Sequence, residues 1–347
     1  MKTTYKVLFL TERSPRHQQA ALASAPPELA VVMLSQPSRL EILRHLLDAE
    51  FLITERAHTI DAGLISAGKN LRLIQRLGSL TFDIDVAAAR QAGIPVCYWP
   101  LRGCILVAEH IVMQMLALVK RLPEVSAIAN AAEDWGRPAQ RTDENTFAYN
   151  WSKRVGIDGI DGKTVGILGF GEIGAELARR LRGFCPAQVL YNKRHPLPTK
   201  VERELGLTFA TQEQILTQSD FVCCLLPFSP ETELSLNTAS FAQMKKGALL
   251  VHCGSGSVID EAALAAAMRT GQLAGAALDT YEWEPIKPDN PLLALARNPN
   301  MNVLLTPHTA AGAAATSGKP RPASRSQDYA NISRLLAGAP LLYQVGA

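Results

Sequence analysis

The sequence predicts an α/β protein built on parallel sheets, and three observations carry that expectation. Short apolar runs rich in β-branched residues alternate with amphipathic helical patterns almost from end to end, as strands buried on both faces and joined by helices require. A glycine-punctuated strand-to-helix turn lies within residues 163–184. The 347 residues, 47% of them hydrophobic, are enough for about two domains with cores of their own.

The elements follow in order. KVLFL (6–10), LAVVML (29–34), FLIT (51–54), LRLIQRL (71–77) and IPVCYW (94–99) read as buried strands. SRLEILRHLLDA (38–49) and DIDVAAARQAG (83–93) read as amphipathic helices between them. Together they make a small flavodoxin-like unit. A long helix is expected from Ile105 to Leu122, apolar on several faces and therefore packed on more than one side. Residues 130–160 are polar with Trp135, Tyr149 and Trp151, and read as a surface loop or arm, either solvated or an oligomer contact. The alternation resumes at Lys163 and runs to about Thr306. Residues 310–327, rich in Ala, Ser, Gly and Pro, read as a mobile loop, and a last helix spans about Asp328 to Leu336.

Charge and cysteine usage bound the partners. Lys+Arg 35 against Asp+Glu 32 gives +3, with no basic block able to track a phosphate backbone, so no nucleic-acid partner is expected. The apolar run in MKTTYKVLFLTERSPR is too short for a signal-peptide core or a membrane span, and no later stretch reads as a span. Cys97, Cys104, Cys185, Cys223, Cys224 and Cys253 lack paired metal-ligand spacing and read as reduced, buried thiols of a cytoplasmic protein. No metal is implied.

The strongest motif is KTVGILGFGEIGAELARRLRGF (163–184), in which a strand enters Gly169-Phe170-Gly171-Glu172-Ile173-Gly174 and a helix follows. Gly169 makes the tight turn, Gly171 admits a pyrophosphate to the backbone, and Gly174 lets helix and strand pack closely. The helix N-terminus offers free N–H groups to the phosphates. The next strand, QVLYNK, ends in Asn192-Lys193-Arg194, with no acid where a ribose-binding carboxylate would stand. A cationic pair attracts a 2′-phosphate, which favours NADP(H) and leaves NAD(H) possible.

With these motifs in place, the chain resembles the D-isomer-specific 2-hydroxyacid dehydrogenase family. VAEH (107–110), LPFSPETE (226–233), MKKGALLVHCGSGSVIDEAAL (244–264), LAGAALDTYEWEP (273–285) and NVLLTPHTAAG (302–312) carry the resemblance over nearly the whole chain. It implies two Rossmann-like domains: a discontinuous substrate domain, 1–102 with 309–347, and an inserted, doubly wound dinucleotide-binding domain, 103–308. It also implies a homodimer and a small 2-keto acid or related carbonyl substrate. The family's general acid matches His308, and the carboxylate that holds its tautomer matches Glu284. Leu226, Pro227, Cys253, Gly254, Asp279 and His308 match cofactor-contact positions.

The chain departs from the family in three places. Ser255 stands where the family has an arginine that forks onto the substrate's carboxylate and carbonyl, and a serine supplies no charge. In the substrate loop, Gly78-Ser79-Leu80 has leucine where a second glycine is common. Arg102, Gly103 and Cys104 occupy the loop that often faces substrate. Three readings follow: a ketoacid reductase in which Arg102 replaces the missing guanidinium, a reductase of neutral carbonyl compounds, or an NADP(H)-binding sensor with a degenerate site.

Overall fold

The computed structural model describes residues 4–55, 57–133, 135–136, 138–147, 149–312 and 325–346. The chain divides into two compact units, Met1–Arg102 with Ala313–Ala347, and Gly103–Gly312.

The first unit contains β1 (Tyr5–Thr11), α1 (Pro15–Ala23), β2 (Leu29–Ser35), α2 (Arg39–Leu46), β3 (Phe51–Glu55), α3 (Ala62–Ala67), β4 (Leu73–Leu77), α4 (Val86–Gln91) and β5 (Val96–Trp99). Its five strands are parallel in the order β2-β1-β3-β4-β5, the flavodoxin-like arrangement. Side chains alternate between two cores. Leu8, Leu10, Leu52 and Ile74 pack on α2, α3 and α4, while Val7, Phe9, Phe51 and Leu73 pack on the returning C-terminal segment through Tyr329 and Ile332. The tail then runs antiparallel to β5, with Tyr98 N donating to Tyr343 O (3.0 Å) and Val345 N to Val96 O (2.8 Å). It covers an edge strand that would otherwise be open to pairing.

The second unit begins within α5 (Arg102–Val119) and continues through α6 (Leu122–Ala131), β6 (Thr164–Leu168), α7 (Glu172–Leu181), β7 (Gln188–Asn192), α8 (Thr199–Leu205) and β8 (Leu207–Phe209). It then adds α9 (Gln212–Gln218), β9 (Phe221–Cys224), α10 (Thr238–Gln243), β10 (Ala248–His252), α11 (Glu261–Arg269), β11 (Leu273–Leu278), α12 (Pro291–Ala296) and β12 (Val303–Leu305). The seven parallel strands lie in the order β8-β7-β6-β9-β10-β11-β12. The winding direction reverses between β6 and β9, which places the ligand crevice of such a sheet at their carboxyl ends. The last helix, α13 (Ala330–Leu336), belongs to the first unit and follows a short 3-10 turn over Ser326–Tyr329.

Several expectations need correction. The long helix stops at Val119 because Arg121 turns left-handed (φ +50°) and Pro123 starts α6. By length and composition α5 could cross a bilayer, contrary to the sequence reading. Half of it is buried, including Ile111, Gln114, Met115 and Leu118. No helix or strand forms among the described residues of 132–163, where Phe147, Tyr149 and Val155 are exposed. Of the loop expected at 310–327, only 310–312 and 325–327 lie within the described residues. All six cysteines are free, but Cys185 is exposed and Cys253 half-buried.

Candidate active site

The site is assembled at the carboxyl ends of β6, β9, β10, β11 and β12. β6 delivers Gly169 at φ +84°, where a Cβ would lie 2.8 Å from the Leu225 carbonyl carbon and the Leu226 nitrogen. Only glycine lets the two strand exits pass this closely. Gly171 is the N-cap of α7; a Cβ there would meet nothing within 4 Å. No side chain of the chain therefore caps the first turn of α7. At Gly174 a Cβ would lie 2.8 Å from the Phe170 ring, so its absence makes room for that side chain just beyond β6. Phe170 in turn packs on Tyr191 with centroids 4.9 Å apart. Glu172 is buried and Ile173 half-buried.

The remaining walls come from neighbouring exits. Gly254 lies so close to the β9 exit that a Cβ would sit 2.6 Å from Leu226 O. Leu226 is half-buried and Pro227 exposed. The Cys253 thiol donates to Gln114 Oε1 (3.4 Å), and burial pushes it well above the ordinary thiol range, so it stays protonated. At the end of β7, Asn192 donates from Nδ2 to Ala210 O (2.8 Å), and its carbonyl accepts from Phe170 N (3.0 Å). Lys193 is half-buried and Arg194 exposed. A glycine turn under open space, an uncapped ten-residue helix and a strand end without an acid fit a nicotinamide dinucleotide.

At the other end of the row, His308 Nδ1 lies 2.7 Å from Glu284 Oε2. The carboxylate's second oxygen accepts from Tyr281 N (3.1 Å), so both oxygens are fixed. The His308 backbone is left-handed at φ +52°, an uncommon conformation for a residue with a Cβ. With Nδ1 turned to the carboxylate, Nε2 is the nitrogen left for a reacting group. Glu261 on α11 steadies the Glu284 loop by accepting from Glu282 N (3.2 Å) and Asn290 Nδ2 (2.6 Å); burial raises its carboxyl above the usual range. Gly256 lies directly under Tyr281, where any Cβ would collide with the Tyr281 carbonyl, and this sets neighbouring Ser255 beside the same loop.

Asp279 receives a different role from the one its family position implies. It is 1% exposed, and its carboxylate accepts from Thr306 Oγ1 (2.6 Å), Thr309 N (3.0 Å) and Ala310 N (2.8 Å). It thus pins both sides of the turn that carries His308. From α5, His110 Nε2 reaches Thr306 Oγ1 (3.1 Å), and Gln114 Nε2 lies at 3.5 Å from the same hydroxyl. Sequence reasoning missed these supports. The i, i+4 spacing of His110 and Gln114, two polar residues on one face of an apolar helix, was the available signal.

The remaining residues singled out in the sequence follow β4 or open α5. Gly78 follows β4 at φ +117°, Ser79 is half-buried, and Leu80 is only 7% exposed, so Leu80 is a core side chain rather than a presented one. Arg102 and Gly103 are exposed at the start of α5, while Cys104 is buried.

The model of the family "D-isomer specific 2-hydroxyacid dehydrogenase, NAD binding domain" matches residues 112–310. The chain belongs to this family. Within it, the chain is 34% identical over 284 residues to a D-3-phosphoglycerate dehydrogenase of Archaeoglobus fulgidus, covering 82% of this chain and 49% of that protein. It therefore spans about half the length of that relative. It is also 34% identical over 299 residues to a glyoxylate reductase of Thermococcus kodakarensis, covering 83% of this chain and 85% of the other. A crystal structure of a glyoxylate reductase from Paecilomyes thermophila aligns with a TM-score of 0.51 at 25% identity, covering 100% and 99% of the two chains.

Proposed function

We propose that the protein is an NAD(P)-dependent oxidoreductase that transfers a hydride between NADP(H), or NAD(H), and a 2-keto/2-hydroxy acid or related small carbonyl compound. The observation that carries the reading is the His308–Glu284 hydrogen bond at 2.7 Å, at the end of the same row of strand exits that presents the glycine turn. When bound, the nicotinamide would supply the hydride for the carbonyl carbon in the reductive direction. His308 Nε2 gives a proton to the carbonyl oxygen, so the product carries a hydroxyl and no alkoxide accumulates. Glu284 holds Nδ1–H and with it the tautomer that makes Nε2 the working nitrogen. Asp279 acts through the turn it pins.

For the cofactor, the glycines at 169, 171 and 174 with Leu226, Cys253 and Gly254 form the phosphate-bearing wall in this reading. Lys193 and Arg194 favour the 2′-phosphate. Ser255 supplies a hydrogen-bonding group beside the Glu284 loop, and Arg102 is the cation offered for a substrate carboxylate, with Ser79 and Gly103 as further contacts. A homodimer is part of the proposal, supported by the exposed apolar side chains Phe147, Tyr149 and Val155 in the arm and Met113 on α5. So is a cytoplasmic location, supported by six free cysteines.

The test is oxidation of NADPH and of NADH against glyoxylate, hydroxypyruvate, pyruvate and simple aldehydes. The expected outcome is turnover with NADPH preferred, and loss of carboxylate substrates in Arg102→Ala. Tight NADPH binding with silence on every substrate would instead favour a sensor.

A further inference from the structure

Beside the His308–Glu284 pair opens a hollow of about 550 Å³, walled by Pro285, Ile286, Leu293, Leu305 and Pro307. That volume is in the range of pockets that take small organic ligands, far more than glyoxylate or pyruvate would fill. Its other two lining residues offer no free polar group. The Tyr281 hydroxyl lies 2.9 Å from Thr306 O and 3.2 Å from Leu278 O, so its one proton is engaged, and the Thr306 hydroxyl is bound to Asp279. Among the described residues no Lys or Arg lines it. A carboxylate placed there would be unpaired and next to the Glu284 charge, which is unfavourable on both counts. An apolar group meets neither penalty. The two side chains of the dyad line the same hollow as these apolar walls, so a substrate held by His308 has an apolar wall beside it.

We propose that this hollow receives the substrate's side chain, and that the carbonyl compound reduced carries a branched aliphatic or aromatic group rather than a hydrogen or a methyl. The inference rests on the dyad reading above and narrows its substrate class. An apolar pocket discriminates one methylene by about tenfold or more.

The experiment compares kcat/KM for glyoxylate, 4-methyl-2-oxopentanoate and phenylpyruvate in the full chain and in two pocket-filling variants, Leu293→Phe and Ile286→Phe. The expected result is at least a tenfold preference for the two apolar keto acids. Filling should erase that preference while glyoxylate turnover changes less than threefold, which also shows that the variants fold. Preference for glyoxylate, or a ratio that filling leaves unchanged, would overturn the inference while the hydride-transfer reading stands. A change from dimer to monomer with the ratio unchanged would assign the hollow to a subunit contact and likewise overturn it. If the wild type reduces none of the three, the hydride-transfer reading fails for these substrates. The pocket is then judged by calorimetric titration of phenylpyruvate in the presence of NADPH. Binding weakened tenfold or more by Leu293→Phe supports it; equal or absent binding in both proteins overturns it.

Discussion

Both units contain a parallel strand that ends in a left-handed glycine and leads on to a helix, yet the two helices begin differently. In the first unit β4 runs into Gly78, and the next residues fold inward until Leu80 is buried. The helix that follows, α4, has its N-terminus satisfied by Asp85, whose side chain accepts from Ala88 N (2.9 Å). In the second unit β6 runs into Gly169, α7 starts at once, and its N-terminus carries no capping side chain. The difference teaches that a glycine turn is not itself an anion site. What decides is whether the helix's first N–H groups are already used.

The comparison can be broken in several ways, the largest first. Gly169→Ala adds a Cβ 2.8 Å from backbone at a positive φ. Summing overpacking and left-handed strain, it should cost about 4 kcal/mol of stability and abolish dinucleotide binding, read by urea unfolding and NADPH titration.

Acid should separate the two units next. Burial holds the His252 imidazole down to about 4, so it is neutral in the fold and takes up a proton only on unfolding. Its folded pKa is depressed below the ordinary 6.5. Stability is therefore full above about 6.5 and falls as pH drops towards 4, by about 3 kcal/mol at most. Amide exchange between pH 7 and 4.5 should show β10 and its neighbours losing protection, and His252→Leu should flatten that slope.

Smaller again is Asp85→Ala, which removes the cap of α4. It should cost about 1 kcal/mol in thermal unfolding and leave NADPH affinity untouched. The mirror-image change, Gly171→Asp, gives α7 a cap and a negative charge. Stability should shift by only a few tenths of a kcal/mol while NADPH affinity falls at least tenfold, because the new carboxylate both uses the N–H groups and repels phosphate.

Much of this architecture is legible in the residues. The apolar runs at 6–10 and 51–54 become the buried β1 and β3 because strands covered on both faces need continuous apolar sequence, whereas the run at 29–34 forms β2 at the sheet edge, only partly buried rather than the buried strand expected. The turn at 169–174 is legible because its glycines are local. The Gly174 contact is not, since nothing in the spacing says that Phe170 folds back over its own helix. The approach of His308 to Glu284 came from resemblance, because a contact across 24 residues leaves no periodic trace. Still less visible was the support beneath it, in which His110 and Gln114 meet Thr306 from more than 190 residues away. The burial of Leu80 was hidden because its neighbours Gly78 and Ser79 read as loop.

The most direct test of the central claim is the single-turnover rate of NADPH with a reducible keto acid in wild type and in His308→Ala, with NADPH affinity measured in both. The account predicts a rate loss of about 100-fold or more with NADPH affinity unchanged within a factor of two. A variant that keeps its rate would contradict the assignment of His308 as the proton donor.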